Sequence, residues 1–176
     1  MRASRDDDLP EILTIYGHHV RHGLASFEEA PPDLSEMTRR RQALLDRGLP
    51  YLVAETDGRL CGFAYLGPYR SRPVYRHTLE NSVYVAPGFE RRGAGALLLA
   101  ELIRLAVGQG YRRMVAVIGD SANLASIRLH ERQGFRRVGT LTSVGFKFGR
   151  WVDSVILERA LGAGDTTLPE ETQPAP

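Results

Sequence analysis

The sequence predicts a mixed α/β domain: a central, mostly antiparallel twisted sheet covered by helices on both faces. Three features predict it. "YLVAETDGRLCGFAYLG" (51–67) sets two apolar runs around Asp57-Gly58, the pattern of a tight antiparallel hairpin. "HTLENSVYV", a helical run to about Val107 and "RRMVAVIG" give strand, helix, strand in mid-chain, the crossover that joins parallel strands. Helical patterns before the hairpin and two further strands after the crossover complete the order β-α-α-β-β-β-α-β-α-β-β.

Each element has a local reason. Residues 2–5 read as a short first strand. "DDDLPEILTIYGHHV" puts acids and a proline at a helix start, with Leu9, Ile12, Leu13, Ile15 and Tyr16 on its apolar side. "LASFEEAPPDLSEM" is a loop carrying Pro31-Pro32, and it leads to a second helix from Leu34 to Arg47 with Asp33 or Ser35 as its cap. After the hairpin and the arginine-rich loop "YRSRPVYRH" come the mid-chain strand and a helix opening on Gly93-Ala94-Gly95-Ala96, stopped by "GQGY". Residues 122–133 form a helix closed by Gly134, and "FRRVGTL" and "WVDSVILERA" finish as strands. Residues 1–161 make a single domain. The tail 162–176, "GAGDTTLPEETQPAP", is rich in Gly, Pro, Thr and acid and reads as disordered.

Bulk properties narrow the function. A length of 176 residues suffices for one buried core. Lys+Arg 23 against Asp+Glu 21 leaves +2, with the arginines spread along the chain and Lys147 as the single lysine. That balance gives no case for a nucleic-acid partner. Cys61 is alone in an apolar strand, so an internal disulfide and a cysteine metal cluster are excluded and a buried, inert thiol is expected. "MRASRDDDLP" holds no apolar signal core and no run nears the ~18 residues of a membrane span, so a cytoplasmic protein without a membrane partner is expected. His18, His19 and His22 form no metal pattern and read as helix surface.

The stretch "LENSVYVAPGFERRGAGALLLAELI" (79–103) carries the strongest functional signal. Small residues at a helix start lose packing, and glycine there costs backbone entropy. Either a strand-to-helix turn needs them to pack, or a phosphate must approach free N–H groups at the helix start, with Arg91 and Arg92 adding charge. The glycines alone do not decide. "GAG" lacks the third glycine of G-x-G-x-x-G and the Lys-Ser/Thr of a P-loop.

The stretch resembles the coenzyme motif of the GNAT N-acetyltransferase superfamily, Q/R-x-x-G-x-G/A, with Glu90 standing at the first position. "SANLASIRLHERQGF" continues the likeness. "SFEEAPPD", "LENSVYV", "VAVIGDSANLASIRLHERQGF" and "VGFKFGRWVD", in that order, resemble the branch that acetylates phosphinothricin and methionine sulfoximine. The likeness covers about residues 2–160. It implies a GNAT-like fold, acetyl-CoA as co-substrate, no metal, a small amino-acid substrate and a homodimer. It implies coenzyme contacts from Arg91, Arg92, Gly93, Ala94, Gly95, Ala96, Asn123 and Ser126, and backbone contacts to the pantetheine arm from Val83, Tyr84 and Val85. Asn123 is also a natural N-cap.

Acetyl transfer to an amine needs a base, because the amine is mostly protonated near neutral pH. Strand alternation sets Glu80, Ser82 and Tyr84 on one face, opposite Asn81, Val83 and Val85. A carboxylate within a β-rich run is unusual, which singles out Glu80 over an ordinary solvated glutamate, and the branch implies the same base. The resemblance makes His130 the donor to developing negative charge, against a plain helix-surface histidine, with Tyr84 in reserve. By position in the branch, Phe27, Arg72 and Tyr75 match pocket residues, with Ser82 beside the base and Arg70 nearby. Lys147 and Trp151 belong either to the pocket or to a subunit interface, and Trp151 fits a core equally well. The competing functions are a GNAT enzyme for another amine (peptide N-terminus, polyamine or aminoglycoside) and a non-catalytic acetyl-CoA sensor. Such a sensor has no need of Glu80, and the arginine-rich loop favours an anionic small substrate.

Overall fold

The computed structural model describes residues 1–169. Its elements are β1 (Arg2–Ala3), α1 (Leu9–His22), α2 (Leu34–Leu45), β2 (Tyr51–Thr56), β3 (Arg59–Pro68), β4 (Thr78–Val85), α3 (Ala94–Gly108), β5 (Arg113–Gly119), α4 (Leu124–Arg132), β6 (Arg136–Lys147) and β7 (Arg150–Ala160). One seven-stranded sheet has the order β1-β2-β3-β4-β5-β7-β6. Among the described residues only β4 and β5 pair in parallel, joined through α3. The predicted fold class and element order both hold.

Local chemistry fixes the frame. Asp57 (φ 50°) and Gly58 (φ 73°) are both left-handed, as a two-residue turn matched to strand twist requires. Asp33 caps α2 by accepting from the Glu36 amide at 2.8 Å, so Asp33 and not Ser35 is the cap. The sheet buries a different apolar layer on each face. Leu98, Leu99 and Leu102 of α3 pack with Leu66, Leu79, Met114 and Leu157, while Ile12 and Val20 of α1 pack with Val53, Phe63 and Tyr84. Cys61 is buried in the first layer, as expected.

Some boundaries move. The first strand shrinks to two residues and α2 ends at Leu45. β6 runs to Lys147, well past the predicted "FRRVGTL", because Phe148 (φ 54°) and Gly149 (φ 72°) form a second two-residue turn into β7. Residues 162–169 carry turns, and Arg112 donates to Thr167 Oγ1 at 3.0 Å and to the Leu168 carbonyl at 3.1 Å. The remainder of the expected tail, 170–176, lies outside the described residues. Among the described residues no helix is long and apolar enough to cross a membrane.

Candidate active site

The parallel pair makes the site. β4 and β5 are in register only at Thr78↔Arg113, Leu79↔Met114 and Glu80↔Val115, although β4 continues to Val85 and β5 to Gly119. Beyond Glu80 the strands diverge. Their separation opens a slot of about 50 Å³ lined by Asn81–Tyr84 and Ala116–Gly119, closed at its sides by Ala25, Asn123, Ser126 and His130. A cleft of about 330 Å³ shares Ala25, Gly119 and Asn123 with it and extends past Phe148 and Arg150. Strand groups without a partner strand are open to an extended ligand arm.

Glu80 sits where the divergence begins, half-buried opposite Gly67. Burial raises its pKa above the ordinary carboxylate value, and the nearby Arg70 charge opposes the shift more weakly. Among the described residues it has no hydrogen-bond or ion-pair partner. Ser82 follows on the same face, paired with Tyr65 of β3. Tyr65 is a pocket-face residue that the sequence reading missed. Its signal was alternation within "CGFAYLG", which needs the strand register before it points anywhere. Tyr84 completes the face but is only 8% exposed, stacked on Phe63 (5.0 Å) and edge-on to Tyr16 (5.2 Å). Its side chain is core, which argues against the reserve donor role.

On the other face, Asn81 is buried and donates from Nδ2 to the Val115 carbonyl at 3.0 Å. Its Oδ1 lies 2.9 Å from His130 Nε2. His130 is 4% exposed, which overturns the helix-surface alternative, and its Nδ1 lies 2.8 Å from the Ser126 carbonyl. Asn123 caps α4 through the Ser126 amide at 3.2 Å while lining both cavities, so capping and ligand access coexist.

The helix opening answers for both its glycines. Gly93 has φ 91°, a conformation that favours glycine, and a Cβ there would meet nothing. Gly95 faces Val85 and Leu129, where a Cβ would stand 3.3 and 3.4 Å from their methyls. Packing therefore accounts for Gly95 and backbone geometry for Gly93. No side chain caps α3, and Leu97 is the first residue whose amide finds a backbone acceptor, Gly93 at 3.0 Å. The amides of Ala94, Gly95 and Ala96 stay available to an anion, with exposed Arg91 and Arg92 before them. Glu90 turns its carboxylate onto the Gly88 amide (2.9 Å) and folds its own loop. This donor set fits a pyrophosphate, and the slot fits a narrow arm.

The remaining residues sort by place. The Phe27 ring lies over Gly145 and Gly119, at the slot. Arg72 and Tyr75 lie in the β3–β4 loop, Arg72 exposed and Tyr75 edge-on to Tyr69 (5.8 Å). Arg70 stacks on Tyr69 at 5.1 Å. Trp151 is 66% exposed beside Phe146, which removes its core alternative, and Lys147 is buried. His19 is not helix surface: its Nε2 lies 2.8 Å from the Val85 carbonyl, beside Tyr84. Among the described residues no His, Cys, Asp and Glu group could hold a metal.

Comparison with known proteins bears on this geometry. Residues 14–135 match the model of the acetyltransferase (GNAT) family. A phosphinothricin N-acetyltransferase from Alcaligenes faecalis is 57% identical over 170 residues, covering 97% of this chain and 86% of that protein. An L-methionine sulfoximine/L-methionine sulfone acetyltransferase from Pseudomonas aeruginosa is 42% identical over 156 residues, covering 86% of this chain and 88% of that one. The crystal structure of a GNAT superfamily phosphinothricin acetyltransferase from Sinorhizobium meliloti, in complex with acetyl-CoA, superimposes with a TM-score of 0.94. It is 39% identical and covers 98% of this chain and 94% of its own.

Proposed function

Since the chain belongs to the acetyltransferase (GNAT) family, we propose that it acetylates the α-amine of a small anionic amino acid of the phosphinothricin or methionine sulfoximine type, with Glu80 as general base. The observation that carries the reading is a half-buried carboxylate, free of any partner among the described residues, where β4 and β5 begin to diverge.

Bound acetyl-CoA supplies an acetyl thioester. The chain's residues divide the rest of the work. The free amides of Ala94–Ala96, with Arg91 and Arg92, hold the pyrophosphate. The Val83–Val85 backbone lines the arm, and Asn123 and Ser126 border it. Glu80 accepts the proton of the bound ammonium, since burial tunes its pKa toward the operating pH. Ser82 and Tyr65 flank the amine, and Phe27 covers it. Arg72 and Tyr75, on the loop leading into β4, meet the substrate's acidic groups, for which guanidinium forks are suited. His130, which lines the slot, is the donor to negative charge that develops there.

A second copy of the chain completes the reading. The edge strand β6 and its partner β7 expose Val138, Leu141, Val144, Phe146 and Trp151, an apolar surface unusual for an edge left in water, and self-association covers it.

A thiol-release assay with acetyl-CoA against L-phosphinothricin, L-methionine sulfoximine and L-methionine sulfone tests the substrate class. Turnover of at least one is expected. Turnover only with polyamines, aminoglycosides or peptides moves the substrate elsewhere, and acetyl-CoA binding without any turnover favours a sensor.

A further inference from the structure

Lys147 is the chain's one lysine among 23 basic residues, and it is 5% exposed. It has no carboxylate within ion-pair distance among the described residues. Instead its ammonium donates to two main-chain carbonyls 121 or more positions away, Ser26 at 2.7 Å and Gly23 at 3.0 Å. These carbonyls are the two ends of the turn that leaves α1. Within that turn Ala25 lines the slot, and the Leu24 carbonyl lies so close over Gly119 that no Cβ would fit there. Just after it, Phe27 lies on Gly145, where a Cβ would come within 2.8 Å of the ring. The turn has a further tie at its far end, where Ser26 Oγ and Tyr16 Oη are 3.1 Å apart.

The chemistry of the anchor is specific. An ammonium is a compact donor whose three N–H groups spread in different directions, so it can bridge two carbonyls that face it from different sides. A guanidinium is a planar fork suited to one flat acceptor. Lys147 is held in turn by its place on the last rung of β6, opposite Arg150, before the two-residue turn at Phe148-Gly149. It does not line the slot: its hydrogen bonds go to the two carbonyls, and its ammonium lies 4.9 Å from the Phe148 ring centroid.

We propose that Lys147 is a positioning residue for the amine site: it clamps the 23–26 turn and so sets Ala25 and Phe27 over the slot. The part concerning substrate rests on the slot being the place of acetyl transfer. The clamp itself does not.

Two measurements separate those parts. Amide hydrogen exchange in the free protein compares wild type with Lys147→Met and Lys147→Arg. Exchange across residues 23–29 rises about tenfold or more in Lys147→Met, with β3 and α3 unchanged, and Lys147→Arg falls between. Unchanged exchange at 23–29 overturns the clamp. Steady-state kinetics on the same variants then varies each substrate in turn. The KM for the amine rises about tenfold while the KM for acetyl-CoA stays within about twofold, and adding Lys147→Met to Phe27→Ala gives little further loss. Equal changes in both KM values, or full additivity with Phe27→Ala, overturn the link to the amine site. If wild type turns over none of the three amino acids, the substrate reading fails while the exchange result still decides the clamp. Should Lys147→Met not fold, Lys147→Arg and Lys147→Gln carry the same comparison.

Discussion

Asn81 Oδ1 and His130 Nε2 face each other at 2.9 Å across the slot wall, and the asparagine cannot turn over. Its Nδ2 is already committed to the Val115 carbonyl, so an oxygen must face the ring. The other ring nitrogen faces a second oxygen, the Ser126 carbonyl. A neutral imidazole carries one N–H and serves one of these acceptors, whereas the protonated ring serves both. Burial acts against the charge and lowers the pKa, so a neutral group leaving one oxygen unserved competes with a charged, fully bonded one.

His130 titration follows from that competition. Its pKa lies below the ordinary 6.5, with burial the first cause. The folded state then binds fewer protons than the unfolded chain just below that value, so this group takes stability away as pH falls from about 6.5 through the folded pKa. Asn81→Asp sets a carboxylate against Nε2 and moves the His130 pKa upward, which NMR titration of the ring Cε1–H follows. No upward movement removes the His130–Asn81 pair as a site that holds a proton.

Glu80→Gln separates catalysis from stability. The loss of the base lowers kcat/KM by about 10²–10⁴-fold. A carboxyl whose folded pKa is raised binds its proton more tightly when folded, so its ionisation destabilises the fold as pH rises from about 4.5 through the folded value. The glutamine carries no such cost. The variant therefore melts at or above the wild-type temperature at pH 8, and the difference closes below pH 4. A variant that is active, or less stable at pH 8, refutes the assignment.

How far the sequence could be read is visible in single residues. The Asp57-Gly58 turn, the α3 opening and the Asn123 cap rest on contacts within a few positions, so composition alone shows them. Glu80 stood out because alternation and β-propensity disagree at that position. Tyr65 became a site residue only when strand register set it against Ser82. Ala25 joined the site, and Lys147 was decided between pocket and subunit interface, through contacts spanning more than ninety positions, which no local pattern encodes. Trp151 was ambiguous for another reason. An apolar residue left exposed on a strand has the same sequence pattern as one buried on it.

Gly93→Ala isolates backbone strain from packing. The added Cβ meets open space, so the cost is the φ of 91° alone, about 1–2 kcal/mol. Relieving that strain rotates the peptide that starts α3 and disturbs the amides of Ala94–Ala96. A fall in melting temperature together with a several-fold rise in the KM for acetyl-CoA is expected, with the KM for the amine unchanged. Stability loss with normal acetyl-CoA kinetics removes those amides from coenzyme binding.

Trp151→Glu tests the self-association. Trp151 is 66% and Phe146 56% exposed, with ring centroids 5.2 Å apart on neighbouring strands of the sheet edge. Burying such a pair against its symmetry mate is favourable at about 25 cal/mol per Å² of apolar surface, and a glutamate there meets its own copy with like charge and an unfavourable desolvation. Light scattering on the eluting protein gives wild type twice the chain mass of 19.6 kDa and the variant one chain mass. The side chain is exposed in the single chain, so the variant keeps its fold and its far-ultraviolet circular dichroism. A wild-type protein eluting at one chain mass across micromolar concentrations would leave the β6–β7 surface without a second copy, and the apolar edge would need another occupant.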